Sequence, residues 1–166
     1  SSSNYIMEKK DYFAYWLTGF TDGEGCFSVS FNKRDRLKLG IEVRPSFSIY
    51  QSGRREAFDS KINILNEIQA YFKCGFIRTY KADGMYKYEV RNVSDLYTHI
   101  IPHFEKYPLL TVKNKDFVNF KTIIRMMRSD LHMNKQGLTE IINLAFIMNP
   151  SGKRKNHKEE LMKYIS

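Results

Sequence analysis

Apolar side chains recur through Asp11–Thr21 at Tyr12, Phe13, Tyr15, Trp16, Leu17 and Phe20. This helical spacing wraps more than one face and predicts a helix buried on several sides. Two glycines in Thr21-Asp22-Gly23-Glu24-Gly25 are expected to stop it. From Cys26 to Asn32 the pattern switches to period two and predicts a strand. Residues 32–40 read as a charged turn, and Ile41–Tyr50 alternates again, with Ile41, Val43, Phe47 and Ile49 on one face and Glu42, Arg44, Ser46 and Ser48 on the other. Pro45 lacks a ladder donor and implies an edge position or a bulge there.

After Gly53 the spacing of Phe58, Ile62, Leu65, Ile68 and Phe72 predicts a helix from about Arg55 to Phe72. Gly75–Lys81 and Met85–Arg91 flank Ala82-Asp83-Gly84, the strongest short hairpin signal in the chain. Ser94 can cap a helix through about Phe104 with Pro102 near its end, and further helices are expected over Asn114–Arg128 and Leu138–Met148. A basic polar linker, Ser151–Lys158, precedes a short last helix. The order is αββαββα with extra C-terminal helices, an α+β chain without an internal repeat. Its divisions are an N-terminal tail (1–10), a core (11–150) and a linker with the C-terminal helix (151–166).

At 166 residues and 42% hydrophobic the chain is long and apolar enough for one folded core, which excludes a disordered chain. A net charge of +9 is the electrostatic footprint of a polyanion binder, although basic proteins of many kinds share it. Cys26 and Cys74 lie far apart with no CxxC spacing, so neither a zinc site nor a disulfide framework is expected, and a reducing compartment is. The longest apolar run, Ile141–Met148, is far short of a membrane span, and the first residues carry no signal-peptide apolar region. Abundant Lys, Asn, Tyr and Ile fit AT-rich coding and, with it, an organellar gene.

The segment that carries chemistry is Leu17-Thr18-Gly19-Phe20-Thr21-Asp22-Gly23-Glu24-Gly25. Gly19 and Gly23 lie four apart on one helix face, where the absence of side chains lets a second helix approach closely. A single copy of such a seam calls for a second chain, and pairing would bring two Glu24 carboxylates together near a two-fold axis. Like charges this close repel unless a divalent metal bridges them, and an oxygen donor set suits Mg²⁺. The plainer alternative is that Asp22 and Glu24 decorate a glycine-rich turn after a core helix.

Nine consecutive positions here resemble the LAGLIDADG motif of homing endonucleases, with Glu24 where Asp is more usual, and Cys26-Phe27 and the alternating strand supply the context that family shows. The resemblance implies a homodimeric, single-motif enzyme cutting one phosphodiester per strand of a long, near-palindromic double-stranded DNA site, across the minor groove and leaving 3′ overhangs, in the service of intron homing. It implies Mg²⁺ or Mn²⁺ as cofactor, with Ca²⁺ supporting binding without cleavage, and an organelle, mitochondrion or chloroplast, as location. Residue by residue, Glu24 matches the metal-binding acid, the Gly23 carbonyl a further ligand, and Asp22 an acid of structural role. Gln51 matches a residue that orients solvent, and Arg55 and Lys113 match a basic pair around the active-site water; Lys115 could take the place of Lys113. Leu17, Gly19, Phe20 and Gly23 form the expected dimer seam.

Strand faces of this family lie along the major groove. The candidate readers are Ser28, Ser30, Asn32 and Arg34, then Glu42, Arg44, Ser46 and Ser48, then Arg78, Tyr80, Lys87, Glu89 and Arg91; the alternative is an ordinary solvated sheet face. A ten-residue strand covers about 33 Å, so a dimer would span on the order of 20 base pairs. His99 and His103 lie four apart with no acid to complete a ligand set, and read as surface or capping residues. Lys153-Arg154-Lys155 reads as a phosphate-contacting tail or a solvated linker, and Met126-Met127 as core. Rival functions are an intron RNA maturase of the same fold, with host intron RNA as partner, a transcription regulator that has lost catalysis, and half of a heterodimer; Glu24 favours the nuclease.

Overall fold

A computed structural model describes residues 8–52, 58–80, 82, 84–149, 154 and 157–166, and of residues 58–62 only the backbone. The element order is α1 (Lys9–Glu24), β1 (Gly25–Lys33), β2 (Ile41–Ser52), α2 (Phe58–Phe72), β3 (Phe76–Tyr80), β4 (Met85–Val90), α3 (93–106), α4 (Lys113–Arg128), a 3₁₀ turn (Leu131–Met133), α5 (Lys135–Ile147) and α6 (Lys158–Ile165). The predicted αββαββα order with extra C-terminal helices is therefore present. The strands form one open antiparallel sheet in the order β1-β2-β4-β3.

Helix α1 runs three residues further than its periodicity predicts. Gly23 lies inside it, and the stop is Gly25, where a Cβ would meet Thr21 Cγ2 at 2.6 Å and its carbonyl oxygen at 2.9 Å. Glycine is what lets the chain turn directly into β1 at that point. Only one stripe of α1 is buried, Ala14, Leu17, Thr18 and Thr21, while Tyr12, Tyr15 and Trp16 stay exposed. The expectation of burial on several sides is corrected for the single chain.

The β1–β2 register runs from Gly25↔Ile49 to Lys33↔Ile41, so Phe27, Val29, Phe31, Ile41, Val43, Phe47 and Ile49 share the inner face. β4 pairs with β2 only from Phe47↔Val90 to Ser52↔Met85, which leaves Pro45 with a strand on the β1 side alone. That open side accommodates its missing donor, as expected. Beneath the sheet, Phe27 packs against Phe47, Phe104, Phe117 and Phe120 with centroids 5.1–5.4 Å apart. Met126 and Met127 join this core.

Two local features differ from the expectations. α3 is capped by Asn92, whose side chain accepts from the Asp95 N–H, and it continues through Pro102 to Lys106. A π turn at Leu96–Ile100, closed by the Ile101 N–H donating to the Leu96 carbonyl, precedes the proline and absorbs the ring that would break a regular helix. His103, expected at the surface, is buried in the same helix: Nε2 lies 3.0 Å from Thr18 Oγ1 and Nδ1 2.8 Å from the Tyr71 hydroxyl. Both cysteines are free thiols, and no described helix is long and apolar enough to cross a membrane.

Candidate active site and nucleic-acid face

The end of α1, the end of β2 and the start of α4 converge. Glu24, the last residue of α1, is exposed, and so is Gly23 before it. Gln51 lies near the end of β2, two residues beyond Ile49, whose partner Gly25 directly follows α1. Gln51 Nε2 donates to the Tyr50 carbonyl at 2.8 Å, leaving the amide oxygen of Gln51 to accept from a ligand or water. Lys113 opens α4, and its Nζ donates to the Thr21 carbonyl at 2.9 Å, inside the motif. Lys115, the alternative lysine, is exposed further along the first turn of α4. Arg55 lies outside the described residues.

Asp22 joins these pieces. Its carboxylate accepts from the Leu110 N–H (2.9 Å), the Thr111 N–H (3.2 Å) and the Thr111 hydroxyl (2.7 Å). Burial alone would raise its pKa, but these bonds and the Lys113 charge hold it below the usual carboxylate value. The carboxylate is thus committed to fixing the loop that leads into Lys113, and Glu24 is the acid left facing outward. Sequence pattern had no means of finding the Leu110–Thr111 clip, because its partners are 88 and 89 residues away.

The Glu24 carboxylate and the Gly23 carbonyl are hard oxygen donors of the kind a small divalent cation takes. Among the described residues no group of three or more His, Cys, Asp or Glu side chains gathers to hold a metal. Of the two acids in the motif only Glu24 faces outward, so among the described residues the donors fit a site completed from outside the chain. Of the residues expected at a seam, Gly19 and Gly23 are exposed. A Cβ at Gly19 or Gly23 would meet nothing within 4 Å, so nothing described within the chain demands glycine at either position. Phe20 is half-buried and stacks on Trp16 (4.8 Å). Leu17 is fully buried in the chain's own core and cannot line a seam; Tyr12, Tyr15 and Trp16 take the exposed positions beside the glycines.

The outer face of the sheet gathers the predicted readers in register: Ser28↔Ser46, Ser30↔Arg44, Asn32↔Glu42, Ser48↔Glu89 and Arg78↔Lys87. Ser30, Arg34, Arg78, Tyr80 and Arg91 are exposed, and Ser28, Asn32, Glu42, Arg44, Ser46 and Lys87 are half-buried. Two assignments are corrected. Ser48 and Glu89 are only 4% and 3% exposed and form the floor of the trough rather than its reading edge. Glu89 takes a hydrogen bond from Ser46 (2.6 Å) and pairs with Lys87 and Arg91, each at 3.0 Å. Burial would raise its pKa, but the serine bond and the two cations hold it down. The polar-face period placed both residues correctly and could not show how tightly neighbouring strands close over them.

Cys26, Tyr50 and Phe76 also belong to this face and were not among the predicted readers. Cys26 and Tyr50 line the trough; the Lys87 ammonium lies 4.9 Å from the Tyr50 ring, and the Arg78 guanidinium 4.8 Å from Phe76. The same alternation that named Arg78 and Tyr80 also places Phe76 there. Arg154, read as part of a tail or linker, instead docks inside: it donates to the Val29 carbonyl (2.7 Å) and the Ala145 carbonyl and lies over Phe146. Lys153 and Lys155 lie outside the described residues.

An α+β chain whose glycine-lined helix delivers an outward acid beside a polar, cation-rich sheet face has the architecture of a homing endonuclease subunit. The family model described as LAGLIDADG endonuclease matches residues 17–124, and the chain belongs to that family. It is 37% identical over 128 residues to "Probable intron-encoded endonuclease 2" of Neurospora crassa, covering 76% of this chain and 27% of that protein. The chain spans about a quarter of the length of the first curated relatives it matches. The homing endonuclease I-TnaI superposes with a TM-score of 0.76 at 34% identity, covering 96% of this chain and 97% of that one. The archaeal intron-encoded homing endonuclease I-Vdi141I, solved complexed with DNA, superposes with a TM-score of 0.83 at 25% identity, covering 95% and 96%.

Proposed function

We propose that the chain is a site-specific double-stranded DNA endonuclease that acts as a homodimer, hydrolysing one phosphodiester per strand of a long, near-palindromic target and so promoting homing of its intron. The observation that carries this reading is the placement of Glu24: the outward acid at the tip of a helix whose exposed glycines, Gly19 and Gly23, leave room for a second helix. Two such helices side by side bring two Glu24 carboxylates to the centre of the assembly, with a polar sheet face on either flank to follow DNA.

Glu24 and the Gly23 carbonyl would hold the divalent cation, Mg²⁺ or Mn²⁺, with Ca²⁺ supporting binding only. Bound there, the ion would polarise the phosphate and lower the pKa of a water. Lys113, tethered to the Thr21 carbonyl, keeps a positive charge beside the motif to offset charge developing on the phosphate. Gln51 offers its amide oxygen to a water, and Arg55 is proposed to share that task. On the flanks, arginines and the small polar side chains of the sheet face approach base edges, with Lys87 and Arg91 held by Glu89. The intron-encoded relatives make an organellar intron the proposed source and site of action.

The test is cleavage of a randomised DNA library by the chain with Mg²⁺, repeated with Glu24→Gln. A long, near-palindromic motif cut only by the intact chain supports the reading. Cutting retained by Glu24→Gln removes that residue from the metal site, and binding without cutting by the intact chain removes the nuclease.

A further inference from the structure

Helix α6 contributes nothing to the site or the seam, yet it is tied to the turn of the β1–β2 hairpin by several independent contacts. Lys33 alternates with Asn32 and so points to the inner side of the sheet, the side of Val29 and Phe31, away from the polar face. There it ion-pairs with Glu160, and its ammonium lies 5.7 Å from the Tyr164 ring centroid. The Tyr164 hydroxyl donates to Asp35 in the turn at 2.6 Å. Gly40 closes the turn with φ +75° flat against the same ring, where a Cβ would come within 2.2 Å of a ring carbon. Leu161 and Ile165 are buried and anchor α6 to the core.

The approach to α6 is fastened along β1 as well. β1 is an outer strand of the sheet, and its Phe27 and Val29 carbonyls accept from the side chains of Asn149 (2.6 Å) and Arg154 (2.7 Å). The part of the sheet so supported is the part with the fewest partners of its own. Residues 41–46 of β2 have β1 on one side and no β4 on the other, because β4 pairs only from Phe47 onward. A two-stranded ribbon is marginal by itself. On the opposite face of this ribbon stand Asn32, Arg34, Glu42 and Arg44, with Glu42 bridging the two arginines at 3.3 and 3.4 Å.

We infer that α6 is a positioning element for base recognition: through Glu160 and Tyr164 it holds the hairpin tip from behind, so that Asn32, Arg34 and Arg44 meet the outer base pairs of each half-site in one fixed register. The inference rests on the endonuclease reading above and adds to it the part of the target that α6 governs.

The test is the double variant Glu160→Gln/Tyr164→Ala, which keeps the Leu161 and Ile165 anchors, with Glu160→Gln alone as a milder form that keeps every apolar contact. In the protein without DNA, amide exchange at Leu37 and Gly40, whose N–H groups close the turn, is expected to quicken while β4 amides are unchanged. In cleavage of targets carrying single base-pair substitutions, discrimination is expected to fall by about tenfold at the outer pairs, the order that one mismatch ordinarily carries, with discrimination at the central pairs and the maximal rate kept. Glu160→Gln is expected to give a smaller change with the same positional pattern. Unchanged exchange at the tip, or a loss spread evenly over the target, overturns the inference. An intact chain that cuts no target overturns the endonuclease reading and the recognition role with it; an intact chain that cuts while the variant discriminates equally well overturns the brace alone.

Discussion

Thr18 decides which ring nitrogen of a histidine 85 positions away carries the proton. Its one hydroxyl proton goes to the Tyr107 carbonyl at 2.9 Å, so its oxygen accepts from His103 Nε2–H, and Nδ1 is left to accept from the Tyr71 hydroxyl. Burial favours this neutral imidazole over the charged form and pushes its pKa down to about 4 from 6.5. The sign follows from which state takes the proton. Between pH 6.5 and about 4 the unfolded chain protonates this side chain and the folded chain does not, so stability falls by roughly 3 kcal/mol across that window and is unaffected above it. Urea unfolding of the protein and of His103→Phe at about pH 7, 5.5 and 4.5 isolates the effect, since other groups titrate in both; parallel curves for the two proteins would refute it. Asp22 makes a different prediction. Asp22→Ala removes the acceptor of the Leu110 and Thr111 donors, which water can partly replace at this exposed site, and a cost of roughly 1 kcal/mol is expected. Because the loop then frees Lys113, the cleavage rate at saturating DNA should drop at least tenfold with affinity little changed. A loss of affinity with an intact rate would place Asp22 in DNA binding instead.

At the scale of an element, helix α1 packs on the chain's own core and is proposed to meet a second copy, and its glycines separate the two roles. Its inner stripe is satisfied within the chain, while Gly19 and Gly23 face open space. Gly19→Ala should therefore stabilise the isolated chain, by up to about 1 kcal/mol from helix propensity, while weakening self-association. Gly19→Leu should weaken it further. Thermal unfolding and sedimentation on the same samples decide this; an alanine variant that loses monomer stability would mean that an unrecognised contact inside the chain requires the glycine. The element order and the motif were legible in the sequence because periods of about 3.6 and 2 and a glycine-rich stop are local signals. What was not legible was set by contacts distant along the chain. Leu17 falls on the inner stripe although its neighbour Trp16 does not, and the π turn ahead of Pro102 lets α3 carry His103 into the core. Ser48 and Glu89 kept their predicted face but lost their exposure to the strands beside them. Of the candidate site, Glu24, Gly23 and Lys113 are expectations from the sequence, whereas the Asp22 clip that brings Lys113 to the motif lies beyond its reach.

For the whole molecule, the net charge of +9 is a weaker guide than where each cation ends. Arg78 is exposed on the outer face, stacked on Phe76. Arg154 spends its charge on two backbone carbonyls and the face of Phe146, and burial lowers its pKa from the ordinary arginine value. Lys33 is tied to Glu160 behind the sheet. Phosphate neutralisation releases counterions, so the logarithm of the association constant should fall linearly with the logarithm of salt, with a slope of about −0.9 for each phosphate contacted. Arg78→Gln should therefore make that slope shallower by about 1 per subunit, about 2 for a dimer. Arg154→Gln should leave the slope unchanged and lower the unfolding temperature, since what it removes is an internal fastening of β1 to α5. Titrations of both variants with a cleavable target in Ca²⁺ over a range of potassium chloride measure this directly. Equal slope changes for the two would mean that Arg154 leaves its internal site to meet DNA, and a slope untouched by Arg78→Gln would move the phosphate track off the β3–β4 hairpin.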